Sequence, residues 1–144
     1  MTSSMNDRKG WRLHIAERTA GVHWEGPHVT LSADCAAEYH PDSQGNSKAV
    51  WDLISQKIDE QPQLEIEGCR VLISDVFENE DVHMVRQVGL NPDDISAFYI
   101  RLIISNLRSD AITVGKLIPL LVEGKDNLVI GEEPAGAWSF YRHG

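Results

Sequence analysis

Hydrophobic and polar positions alternate in "WRLHIAE" (residues 11–17), where Trp11, Leu13 and Ile15 share one side, the pattern of a half-buried strand. In "GVHWEGPHVTLSA" (21–33) Gly26-Pro27 supplies a turn, and Val29 and Leu31 share a face of the strand after it. The polar stretch "EYHPDSQGNS" (38–47) predicts a surface loop ending in a helix cap at Asn46 or Ser47. A helix is expected over about 48–60, since Val50, Ile54 and Ile58 recur every fourth position beside Trp51 and Leu53, and Pro62 would end it. "QLEIEGCRVLISDVF" (63–77) predicts a central strand and "VHMVRQVGL" (82–90) a second one, with "ENED" between them as a hairpin tip.

The most regular helical pattern lies in "NPDDISAFYIRLIISNL" (91–107). Asn91 can cap, Pro92 fits the first turn, and Ile95, Phe98, Tyr99, Leu102, Ile103 and Leu107 form a stripe. A further helix is expected within "SDAITVGKLIPLLVEGKDN" (109–127), starting near Lys116 or kinked at Pro119 and stopping at Gly124. "NLVIGEE" predicts a short strand, and "GAWSFYRHG" a terminal strand with Trp138, Phe140 and Arg142 on one face. Together these predict an α+β fold in which a mixed or antiparallel sheet of about five to six strands packs with two to three helices.

At 144 residues the chain suits one domain, its first ten residues expected to fray and "MTSS" before Met5 read as an added or frayed start. Its polar N-terminus has no apolar leader core, and no apolar run approaches membrane-spanning length, so a cytoplasmic protein is expected. Cys35 and Cys69 are too few for a disulfide framework and lack metal-binding spacing, so both are read as free thiols.

Net charge is −9, and residues 59–94 hold ten acids against Arg70 and Arg86. That polarisation disfavours nucleic acid and favours a basic protein partner. The expected docking residues are Asp75, Glu78, Glu80 and Asp81, with Glu65, Glu67 and Asp59 behind them. The plainer reading makes the same acids a helix terminus, the solvent face of a strand and a wet turn. A calcium loop is disfavoured because "DVFENEDVHMVR" lacks the alternating acids and glycine such loops use, and neither metal nor cofactor is expected. A second reading is a small Cys/His-dependent enzyme or metal module around Cys35 and His40, with Asp34, Glu38, His23 and His28 nearby. A third is a homo-oligomer formed through the aromatics of the terminal strand.

The stretches "VTLSADCAAEYHPDSQGNSKAVWDLISQKIDE" and "PAGAWSFYRHG" resemble immunity proteins of contact-dependent growth inhibition modules. The resemblance implies a protein that binds the C-terminal toxic domain of a cognate effector, often a nuclease, and blocks it; the acid-rich surface suits occlusion of a basic cleft, with no chemistry expected of this chain.

Overall fold

A computed structural model of the chain describes residues 3–16, 21–41, 47–50, 52–63, 66–124, 127–131 and 133–134. Two antiparallel sheets pack face to face. The first is built on β1 (Ser3–Asn6), β2 (Arg12–Ile15), β3 (Val22–Gly26) and the long β4 (Val29–His40), paired in that order. The second is a meander of β6 (Leu53–Asp59), β7 (Val71–Glu78), β8 (Val82–Asn91) and β9 (Asp94–Asn106). Both edges of β4 are shared. On one side β3 pairs with its first half and β5 (Lys48–Ala49) with its second. On the other, β10 (Thr113–Leu121) pairs with the second half and β11 (Leu128–Ile130) with the first, and β12 (Glu133–Pro134) adds to β11.

The α+β expectation is therefore corrected to an all-β architecture: no helix occurs among the described residues. Residues 91–107 form β9, because Ile, Phe, Tyr and Leu in an unbroken run satisfy a period of two as well as one of 3.6. Phe98, Ile100 and Leu102 stand opposite Leu90, Val88 and Arg86 of β8, and that ladder together with the β-branched and aromatic content decides the matter. Asn91 acts as a turn residue, its side-chain oxygen accepting the Asp93 amide, and Pro92-Asp93 form a two-residue connection. The expected helix over 48–60 is replaced by β5 and β6, which leaves Ile54 and Ile58 59% and 47% exposed on an edge strand. The helix expected near Lys116 is β10, and Pro119, which has no amide to donate, lies in the register shift between Ile118 and Leu121. Nor is the start of the chain frayed throughout, since β1 pairs with β2.

Other expectations hold. The hairpin of β7 and β8 turns at "ENED", β2 and the start of β4 lie where the pattern put strands, and β11 is the short strand near residue 128. The terminal stretch with Trp138, Phe140, Tyr141 and Arg142 lies outside the described residues. No helix of the described residues is long and apolar enough to cross a membrane.

The interior has three layers. One apolar cluster joins Leu13, Ile15 and Val22 of the first sheet to Val71, Ile73, Val88, Leu90 and Ile95 of the second. Another joins Cys35, Ala37, Tyr39 and Val50 to Phe77, Val82 and Met84. Between them, at inward positions of β7 and β8, Asp75 and Arg86 are cross-strand partners with fully buried side chains, Arg86 Nη2 donating to Asp75 Oδ2 at 2.6 Å. Gln56 of β6 donates to the other carboxylate oxygen at 2.7 Å. Facing them is Cys35 of β4, between Ala33 and Ala37, small residues that leave room for the guanidinium. Burial pushes the Cys35 thiol's pKa up against the pull of Arg86.

A second fastening holds the sheets at the other end. Trp11 stacks on Trp24 with ring centroids 4.8 Å apart, and Trp24 meets Phe98 edge to face at 5.4 Å. The Trp11 ring lies directly on Gly26, leaving no room for a Cβ there. Ile95 at the start of β9 is gripped twice across the sheets: its amide donates to Asp7 Oδ2 at 2.9 Å, and its carbonyl accepts Trp24 Nε1 at 2.7 Å.

Truncating one partner of a buried ion pair strands the other. Asp75→Ala is expected to destabilise the protein by about 3–5 kcal/mol in urea unfolding. The double variant Asp75→Leu/Arg86→Met should lose far less than the two single truncations together, and additive losses would refute this account of the layer.

Candidate functional site

The acids singled out in the sequence do not meet on one face. Asp75 is in the core and inaccessible to any partner. Glu78, Glu80 and Asp81 gather at the tip of the β7–β8 hairpin. Asp59 closes β6 opposite Leu72, and Glu67 stands in the turn before β7, so both belong to the opposite end, about 20 Å away at ~3.3 Å per strand residue. Glu65 lies outside the described residues.

At the hairpin tip, Asp81 is an internal clamp. It is buried and accepts hydrogen bonds from the Tyr39 hydroxyl at 2.8 Å, Arg108 Nη1 at 3.1 Å and Lys48 Nζ at 3.2 Å. Asn79 completes the turn, its Oδ1 accepting the amides of Asp81 and Val82 while its Nδ2 donates to the Tyr39 hydroxyl. The Leu107 amide donates to the Asp81 carbonyl, which brings the end of β9 onto the tip. Tyr39 and Lys48 arrive from β4 and β5, so this one carboxylate ties both sheets together. The Tyr39 hydroxyl is the largest influence holding the Asp81 carboxyl below its usual pKa, with Lys48 and Arg108 adding to it against desolvation.

What the tip leaves for solvent is a ring of other carboxylates. Glu80 is 79% exposed and shares Lys48, and Glu78 lies 2.7 Å from His83 Nδ1. Asp52 is exposed beside the tip, its carbonyl accepting the Glu78 amide, and Asp110 forms a paired contact with Arg108. Much of the negative charge at the far end is likewise paired: Asp93 with Arg70, and Asp94 with Lys9.

The proposed Cys/His constellation does not assemble. Cys35 points inward and His40 lies on the outer face of the same strand, beside Gly115 of β10. Their separation along the strand is about 16 Å. His28 lies in the turn between β3 and β4. Cys69 donates weakly to the Val71 carbonyl and abuts Gly89. No group of three or more metal-binding side chains occurs among the described residues.

One arrangement escaped sequence reasoning. On the outer face of the first sheet, the Ser32 hydroxyl lies 2.8 Å from His23 Nδ1, and His23 Nε2 lies 3.3 Å from Glu25 Oε2. Arg12 pairs with Glu25 from the neighbouring strand. His23 and Ser32 edge a shallow cleft of about 500 Å³ that is also bordered by His14, Asp34, Glu123 and Asn127. The turn at Gly26-Pro27 contained the signal. A hairpin pairing Gly26 with Val29 must pair His23 with Ser32, and Glu25 follows His23 on the same face.

The acid sensitivity of the tip follows from sign. Asp81's folded pKa is depressed, so the stability it contributes is present above the ordinary carboxylate range and disappears as pH falls through the folded value. Tyr39→Phe removes the largest cause of that depression. The stability gap between wild type and Tyr39→Phe in urea melts should be wide at pH 7 and narrow near pH 3; a gap independent of pH would refute the clamp.

No protein-family model, curated protein or solved structure matches this chain.

Proposed function

We propose that the chain acts by binding a basic protein partner through the β7–β8 hairpin end, in the manner of an immunity protein that occludes a toxin's cationic cleft. The observation that carries this reading is the division of labour at the tip. Asp81 is consumed by Tyr39, Lys48 and Arg108, which hold the hairpin in one geometry, while Glu80 stands 79% exposed with Glu78, Asp52 and Asp110 around it. Carboxylates on a pre-organised turn can form charge-assisted hydrogen bonds to Arg and Lys without first ordering a loop. The net charge of −9 adds long-range steering toward a cation-rich surface. A nuclease domain fits this chemistry because its cleft must attract phosphates.

The docking set is thereby revised to Glu78, Glu80, Asp52 and Asp110. Asp75 and Asp81 are structural, and Asp59 and Glu67 stand too far away to share the same footprint. A charge-reversal test must spare Asp81, since a lysine there would collide with Lys48 and Arg108 and unfold the tip. Glu78→Lys/Glu80→Lys should keep its thermal midpoint close to that of the wild type. The wild type should capture one basic protein from host extract stoichiometrically, with capture weakening as salt rises. The double variant should associate with it about tenfold more slowly or worse at low salt. Equal capture by the folded double variant would refute the reading.

A further inference from the structure

The outer face of the β3–β4 hairpin carries chemistry that the docking reading does not use. There a hydroxyl, an imidazole and a carboxylate form one hydrogen-bonded chain, Ser32 Oγ to His23 Nδ1 at 2.8 Å and His23 Nε2 to Glu25 Oε2 at 3.3 Å. All three project from paired strands, so their spacing is set by ladder register. Arg12 holds Glu25 from the far side. His23 and Glu25 side chains are 42% and 27% exposed, so a small molecule can reach the chain of groups from the cleft beside it.

We infer that Ser32 is a nucleophilic acyl acceptor, with His23 as its general base and Glu25 as a positioning residue. The reaction uses the tautomer with its proton on Nε2, donated to Glu25, which leaves Nδ1 to take the proton of the Ser32 hydroxyl. Ser32 Oγ attacks the carbonyl carbon of an ester while its proton passes to His23. The bond between that carbon and the leaving alcohol oxygen then breaks, and the departing oxygen takes the proton from His23. Ser32 is left as an ester and His23 is neutral again. Water attacking the acyl group, with the same proton transfers, regenerates the serine.

Two features define what this site accepts and how fast it turns over. Asp34 and Glu123 border the cleft beside Glu25, so an anionic acyl group is repelled and a neutral or cationic ester is favoured. Strand amides lie in the plane of the sheet, whereas Ser32 projects from its outer face, so the ladder amides of β3 and β4 are not aimed at an oxyanion formed above it. His14 brings a side-chain nitrogen to the cleft, whereas the Asn127 amide there already donates to the Glu123 carbonyl. Without a built amide pair, both acylation and deacylation forgo a contribution worth about 10²–10³-fold, so turnover is slow, and an ester with a good leaving group is needed for acylation to outrun deacylation. This capability is independent of the hairpin tip, and its failure leaves the docking reading untouched.

The full chain is incubated with p-nitrophenyl acetate, and release of p-nitrophenol is followed alongside intact mass and peptide mapping. The expected result is a burst of one acetyl group per chain, located at Ser32, followed by slow release. Ser32→Ala should abolish the burst, and His23→Gln should slow it by about 100-fold or more. Glu25→Gln should slow it with its thermal midpoint unchanged, and Glu25→Asp should restore part of the rate. The hemisuccinate ester of the same phenol should react more slowly than the acetate. Acetylation of Ser32 no faster than of Ser55 or Ser74 in the wild-type chain would overturn the inference, whatever the stability of the variants. So would an undiminished burst in folded His23→Gln.

Discussion

A carboxylate and a guanidinium sealed between two apolar clusters constrain everything else in this molecule. Asp75 and Arg86 face each other across β7 and β8, and neither touches water. A slip of one residue in that pairing would put Asp75 and Arg86 on opposite faces of the sheet and strand one charge alone in the core, so the pair penalises alternative registers that purely apolar rows would tolerate. The same pair dictates the opposing sheet. Among the described residues Arg86 is the largest fully buried side chain, and it faces the small-residue stretch of β4 around Cys35. The arrangement is not free of strain in the hydrogen-bonding sense: Arg86 Nε and Nη1 have no partner. Each buried unsatisfied donor costs on the order of 1–3 kcal/mol, so this layer favours a unique pairing more than it favours raw stability.

From that layer outward, the sandwich is closed by two polar clamps of similar logic. Asp7 gathers the amides of Lys9, Trp11 and Ile95, and Asp81 gathers Tyr39, Lys48 and Arg108. Both carboxyls lie below their ordinary pKa. At Asp7 partial desolvation opposes the shift, and the three amides outweigh it. Each clamp crosses from one sheet to the other at a different end of the sandwich. Two of the acids within residues 59–94, Asp75 and Asp81, are therefore taken up by the architecture.

What was legible in the sequence depended on whether a segment satisfied one periodicity or two. "WRLHIAE" alternates apolar with polar residues, and "VHMVRQVGL" does so apart from Val85 and Arg86, so a period of two fits both. The run "ISAFYIRLIISN" is apolar on nearly every side and fits helix and strand alike. Its neighbour in space, β8, made the choice, and no local signal carried that information. Residues 48–60 misled for a related reason. Ile54 falls in a bulge on an edge strand, where the spacing of isoleucines reflects no buried stripe. Site residues were harder still, since linear clustering of acids says nothing about which face each will take. Asp75 and Glu78 are three apart, and in a strand that sends one into the core and leaves the other at the rim. Cys35 and His40 failed to meet by the same parity.

Parity also explains why the groups left for function are the ones proposed. A polar side chain facing inward is costly unless the fold satisfies it, and Asp75, Asp81 and Tyr39 are held by hydrogen bonds so that changing any of them is first a folding event. A polar side chain facing outward can change without leaving a buried orphan. Glu80 at the hairpin tip and Ser32 on the outer face of β4 both meet that condition, and each is held in place by a partner whose main task is structural: Lys48 for the first, the β3–β4 ladder for the second. Rigid placement combined with exposure is what recognition and nucleophilic chemistry require, and in this fold the buried charges supply the rigidity while the exposed ones remain available.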